Sequence, residues 1–346
     1  MSVTPPEEAA MTVRTPGTRF GRRALLGSAA ALPAVALPAI ARAQNLGTWP
    51  TRPIRLVVPF APGGSTDVLA RLLTEQMAPR LGQPFIIDNR PGAGATLGTG
   101  LVADAPADGY TVLLSVISAF SVGSTLYRGR IGWDPVRSFA HLGMIQSGFY
   151  ALMAFRAAPF GNPGELAAAA RRTPGIAYAT SGVGSLPHLF MLRFAQAARV
   201  ELTHIPYRGG AQAVNDTMAG VVPVTLDGIA SSVNFLRAGQ IRGIGITAPT
   251  RQAAFPEMHT FVEHGLPGLV AEGWAGMAMP AGTPAPIQSR FTAVLKEVLE
   301  LPAIIARYQQ LAIDTGTRFG PEAQAFVTQE VETWRPLVLA SGATVD

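Results

Sequence analysis

Four short segments carry most of the residues able to do chemistry: Pro62-Gly63-Gly64-Ser65-Thr66-Asp67, Ser115-Val116-Ile117-Ser118-Ala119-Phe120, Ser181 to His188, and Tyr207-Arg208-Gly209-Gly210. Two chemistries compete for them. Ser185 stands three residues before His188 with Ser181 nearby, which suits a serine nucleophile and a histidine base. The same spacing suits a capping serine and a polar wall histidine. The G-x-S-x-G elbow of serine hydrolases is absent, because the order is Thr180-Ser181-Gly182-Val183-Gly184. That absence favours the capping role. The second chemistry is anion capture. Each segment carries Gly or Ser at or near a predicted helix start, where free N–H groups and the positive end of the helix dipole favour negative charge. One such turn is ordinary; four around one cleft would hold a small carboxylate. Asp67, Asp227 and Arg208 are ionisable groups at strand ends. Asp67 suits its own helix start, Asp227 suits a turn cap, and Arg208 suits either a carboxylate clamp or a solvated surface.

Other chemistries find little support. Pro91-Gly92-Ala93-Gly94-Ala95-Thr96-Leu97-Gly98 loosely resembles a dinucleotide loop, but its third glycine is one place late and it follows the second strand. No phosphate loop, H-E-x-x-H or calcium loop is present. The chain has no cysteine and five scattered histidines, so no metal and no cofactor are expected.

The elements that must position these residues alternate regularly. Ile54-Arg55-Leu56-Val57-Val58 reads as a buried strand, and Val68, Leu69, Leu72, Leu73 and Met77 as one helix face to about residue 80. Strands at 85–88 and 111–114 bracket a short helix ending near Ala103. Further strands are predicted at 150–154, 176–179, 203–205, 222–226 and 241–247, with helices at 163–172, up to 198, up to 219 and at 231–238. After residues 273–279 only helices follow, at 284–299, 302–311 and from about 321. Residues 121–138 read as irregular. Repeated βαβ spacing implies an α/β fold with mostly parallel sheets flanked by helices, and ligands beyond the carboxyl ends of the strands. Chain crossings near 145–150 and 270–276 divide it into two lobes, 44–148 with 274–346 and 149–273, with a cleft between them.

Composition narrows the function class. Of 346 residues, 48% are apolar and only 14% charged, so a large core rather than disorder is expected. The net charge of +5 is uneven. Setting aside the five arginines and two glutamates of residues 1–43 leaves 22 basic and 20 acidic residues, which is no nucleic-acid footprint. Arg22-Arg23-Ala24-Leu25-Leu26, an apolar stretch from Ala29 to Ile40 and Ala41-Arg42-Ala43 read as an export signal of the twin-arginine type. The mature chain is expected to start near Gln44 and to work outside the cytoplasm.

Together these residues resemble a known family. Trp49-Pro50-Thr51-Arg52-Pro53-Ile54-Arg55, Val57 to Asp67, Asn89-Arg90-Pro91-Gly92-Ala93-Gly94, Ala107-Asp108-Gly109-Tyr110-Thr111, Pro206-Tyr207-Arg208-Gly209 and Pro280-Ala281-Gly282-Thr283-Pro284 are similar to the substrate-binding proteins of tripartite tricarboxylate transporters, the Bordetella uptake gene type. The resemblance implies a two-lobed, type II-like periplasmic binding protein, monomeric and not an enzyme. It would close on a small carboxylate or related small molecule and dock on membrane permease subunits. It implies ligand contacts from Pro62, Gly63, Gly64, Ser65, Thr66 and Asp67, from Ser115, Ser118 and Ala119, from Ser181, Gly184, Ser185 and His188, and from Tyr207, Arg208 and Asp227. A secreted hydrolase using Ser185 or Ser181 with His188, and an input protein for a signalling receptor, are the alternatives. Two segments depart from the family pattern: Ser115 to Phe120 is unusually apolar, and Gly228 stands where a larger side chain is usual.

Overall fold

The structure is a computed structural model and describes residues 49–344. The expected signal at 1–43 lies outside the described residues. Strand β1 (Ile54–Val58) buries four of its five residues and turns into α1 (Ser65–Leu81). Leu69, Leu73, Met77 and Leu81 form the helix's buried stripe, and Gly82 ends it in a left-handed conformation. Then come β2 (Phe85–Asn89), α2 (Thr96–Ala103) and β3 (Thr111–Val116). A π-helical turn, Ser118–Gly123, and the short α3 (Ser124–Leu126) lead to β4 (Phe139–Ala154), which runs for 16 residues. The second alternating series is α4 (Pro163–Arg172), β5 (Ile176–Thr180), α5 (Leu186–Ala198), β6 (Leu202–Pro206), α6 (Gly210–Met218), β7 (Val224–Gly228), α7 (Val233–Arg237) and β8 (Arg242–Ile246). The chain finishes with β9 (Glu272–Pro280), α8 (Ala285–Leu299), α9 (Pro302–Gln310), β10 (Asp314–Thr315) and α10 (Pro321–Ala340).

One sheet runs through the molecule in the order β2-β1-β3-β9-β4-β7-β5-β6, with β8 and β10 also pairing with β4. Its flanks are parallel, as βαβ spacing requires: β1 with β2 and β3, and β5 with β6 and β7. Its centre is antiparallel. β9 runs against both β3 and β4, and β4 runs against β7 and β8. β4 therefore serves both halves: Phe139–Phe149 pairs with β9, and Tyr150–Ala154 pairs with β7. The first half of β4 and the whole of β9 escape a pattern reading because Gly143, Gly148, Gly273 and Gly276 break their apolar alternation.

The late helices pack on the first flank, α8 against α1 and β4, and α10 against β4 and the π-helical turn. Phe120 of that turn sits among Trp133, Phe139, His141 and Trp274, with ring centroids 4.9 to 6.1 Å away. This explains the apolar character of Ser115 to Phe120: Ile117 and Phe120 are buried anchors that hold the turn after β3 in place. Burial among these rings pushes the His141 imidazole down to about 4, so the cluster is neutral.

Candidate functional site

A cavity lies between the two flanks, with about 70 Å³ open to the centres of water-sized molecules. Each of the four turns reaches its wall: Gly64, Ser65 and Thr66 from the turn after β1, Val116 at the end of β3 with Ser118 after it, Ser181 and Pro187 after β5, and Gly210 after β6. Asp227 and Gly228 at the end of β7 join them. Gln146, Gly148, Phe149 and Tyr150 of β4 and Trp274 of β9 close the floor.

The turn after β1 is held by Asp67. Its carboxylate accepts from Gly63 N–H at 3.0 Å, from Arg71 Nε at 2.9 Å and from Asn89 Nδ2 at 3.0 Å. Asn89 also donates to Phe60 O at 3.0 Å, tying β2 to the same turn. Burial raises the Asp67 pKa, but the hydrogen bonds from Arg71, Gly63 and Asn89 and the Arg71 charge outweigh it and hold the carboxyl below its usual range. Asp67 thus faces its own loop and not the cavity. The first intrahelical bond of α1 is Val68 N–H to Gly64 O, so Ser65 and Thr66 stand at the open start of the helix, which has no side-chain cap.

The flanks touch around the cavity. Ser65 Oγ donates to Gly228 O at 2.9 Å and accepts from Ser231 N–H at 3.1 Å. Leu186 N–H donates to Ser118 Oγ at 3.1 Å, and Ala61 N–H to Arg208 O at 3.1 Å. Gly94, at φ 59°, lies against the backbone of Gly184, where a Cβ would stand 2.6 Å from the carbonyl carbon. The glycines of Pro91 to Gly98 thus allow a close backbone approach.

Ser185 and His188 form no nucleophile–base pair. Ser185 Oγ donates to Gly182 O at 2.7 Å and accepts from His188 backbone N–H at 3.3 Å, which makes it the N-cap of α5. The His188 ring stacks on His204 with centroids 4.1 Å apart, and burial pushes its pKa down to about 4. Ser181 lines the cavity, whereas Ser185, His188 and Gly184 stand behind the wall. Ser115 and Ala119 are likewise buried away from the cavity, and Pro62 and Gly63 are exposed to solvent. Tyr207 turns its hydroxyl to Asp216 Oδ2 at 2.7 Å, and the Arg208 side chain is exposed with only its carbonyl in the inter-flank contact. Trp274, which the sequence offers as either a hinge-side wall or core, lines the cavity, whereas Gln146, Phe149 and Tyr150 had no signal as ligand contacts, since their strand was seen only in part.

Asp227 differs from Asp67. It is 6% exposed and lines the cavity. Burial pushes its carboxyl up to about 7, offset in part by the Gly228 N–H and by Ser231 Oγ, which donates to Oδ2 at 3.2 Å. Tyr150 beside it is raised by burial and by the Asp227 charge.

The family model for the tripartite tricarboxylate transporter family receptor matches residues 69–342. This chain belongs to that family. The UPF0065 protein of the tcbD-tcbE intergenic region of a Pseudomonas species is 35% identical over 92% of this chain and 94% of its own. The solved periplasmic binding protein BugD is 34% identical with a TM-score of 0.81, over 86% of this chain and 99% of its own. Rpa4515 of R. palustris, solved with adipate, is 31% identical with a TM-score of 0.81, over 86% of this chain and 100% of its own. The family member described here is a periplasmic solute-binding receptor of the two-lobed α/β class, and not an enzyme. Among its described residues no helix is long and apolar enough to cross a membrane.

Proposed function

We propose that this receptor captures a small carboxylate-type solute in the cavity and presents the closed form to the permease subunits of a tripartite transporter. The lobes are 44–148 with 274–346, and 149–273. Residues 1–43 serve as a twin-arginine export signal, and the mature chain acts as a monomer. The carrying observation is the wall built from both flanks around the uncapped start of α1. Gly64, Ser65, Thr66, Ser118, Ser181 and Asp227 are the contacts of the ligand. Pro62, Gly63, Asp67, Ser115, Ala119, Gly184, Ser185, His188, Tyr207 and Arg208 shape the loops that present them. The adipate bound to Rpa4515, in the same fold, supports a carboxylate as ligand.

Thermal unfolding against a panel of carboxylates, amino acids and amides tests the reading. A ligand at about a hundred times its dissociation constant adds about 2.7 kcal/mol and moves the melting temperature by degrees. A shift with an acid and none with its ester or fully amidated form supports the proposal. A flat panel on folded protein, free of co-purified ligand, removes it.

A further inference from the structure

Building on the receptor reading, we infer that the solute is a short monocarboxylate whose other end is a hydrogen-bond donor, an amine, amide or hydroxyl, and not a second carboxylate. Among the described residues three α-helix starts border the cavity, and of these only that of α1 is open to an anion. The start of α5 is spent internally: Leu186 N–H goes to Ser118, His188 N–H to Ser185, and Pro187 has no N–H. At α6 the carboxylate of Asp227 lies directly against Gly210, the first helical residue, where any side chain would collide with it. That helix start already faces a negative group. The start of α1, at Ser65 and Thr66, is left for one carboxylate.

The charges on the wall agree. Among the described residues no Lys, Arg or His lines the cavity, and its titratable groups are Asp227 and Tyr150, both acids. An ionised carboxylate only accepts hydrogen bonds. Above about pH 7, where Asp227 is ionised, a second ligand carboxylate placed near it would meet like charge with no cation among the described lining residues to offset it. A donor there finds an acceptor instead. With about 70 Å³ open to the centres of water-sized molecules, the cavity is small, which favours a short ligand.

Calorimetric titration of the purified full chain at pH 8, where Asp227 is ionised, with matched pairs tests this: succinamate and γ-aminobutyrate against succinate, and 5-aminovalerate against glutarate. The donor-bearing member is expected to bind about 10- to 100-fold more tightly, the scale of a charge-assisted hydrogen bond. In D227N, checked for folding by circular dichroism, that preference should shrink toward parity. Dicarboxylates binding at least as tightly as their partners would overturn this inference and leave the receptor reading standing. No binding by any acid would overturn both. A D227N variant that fails to fold does not stop the test, because the wild-type pairs decide it.

Discussion

Ser65 Oγ donates a hydrogen bond of 2.9 Å to the carbonyl of Gly228, 163 residues later and on the opposite flank. Ser231 N–H donates in turn to Ser65 Oγ at 3.1 Å. The contact needs glycine at 228, since a Cβ there would stand 2.9 Å from Ser65 Oγ and 3.3 Å from Ser65 Cβ. The backbone at Gly228, φ −60° and ψ 138°, would accept any residue, so the requirement is one of space. Gly228→Val is expected to weaken ligand binding by about 1–3 kcal/mol, the range for overpacking a tight contact. Ser65→Ala should weaken it as well, by loss of the bond. Unchanged affinity in Gly228→Val, read by calorimetry, would show that closure does not use this contact.

Asp67 stabilises the turn after β1 as an ionised group. Its folded pKa lies below the usual value, so its contribution is present above the unfolded pKa of about 4 and disappears as pH falls through the folded pKa. Asp67→Ala should cost about 1–3 kcal/mol at pH 7 through orphaned donors at Gly63 and Asn89. The gap from wild type should narrow below about pH 4. Urea unfolding from pH 2 to 7 measures both.

Asp227 acts with the opposite sign. Its folded pKa, about 7, lies above the unfolded value, so the unfolded chain binds fewer protons between them and stability falls as pH rises from about 4 to 7. D227N should lack this decline and gain on wild type by up to about 4 kcal/mol at pH 8. Melting temperatures of the two proteins, without ligand, should diverge as pH rises. Parallel curves would mean that Asp227 is charged at no net cost in the folded protein.

Glu330 holds the cavity wall from behind. Its Oε2 accepts from Trp274 Nε1 at 2.9 Å and from Trp334 Nε1 at 3.2 Å, joining α10 to β9. Glu330→Leu leaves two indole N–H groups without an acceptor and should cost about 1–3 kcal/mol. Glu330→Gln keeps an acceptor oxygen and should lie nearer wild type. Tryptophan fluorescence with and without ligand reads the effect on Trp274, and equal behaviour of the two variants would place the role in packing alone.

The legible parts of the sequence were those where one local signal decides. Val327, Val331, Trp334 and Val338 recur at helical spacing and form the buried stripe of α10. Ser185 followed by Leu186-Pro187 is a helix start in the sequence and in the structure. The turns around the cavity were visible as Gly and Ser clusters after strands. Side-chain direction was not visible: Tyr207 turns to Asp216, and His188 to His204, because of neighbours supplied by other elements. The antiparallel centre was also hidden. β9 pairs with β3 across 165 positions, from Leu113 to Ala278, and no window of local sequence carries that information.

The insertion of β9 between β3 and β4 fixes when the chain can finish folding. Until Glu272–Pro280 has left the ribosome, the inner edge of β3 and one edge of β4 have no partner, and both are built of apolar residues. Pairings this distant form late, and unpaired apolar edges bind other chains. A nascent chain stalled before residue 272 should therefore be digested by protease along β3 and held by chaperones, whereas one stalled far enough beyond residue 340 should resist. The commitment to a folded state then falls at the end of synthesis.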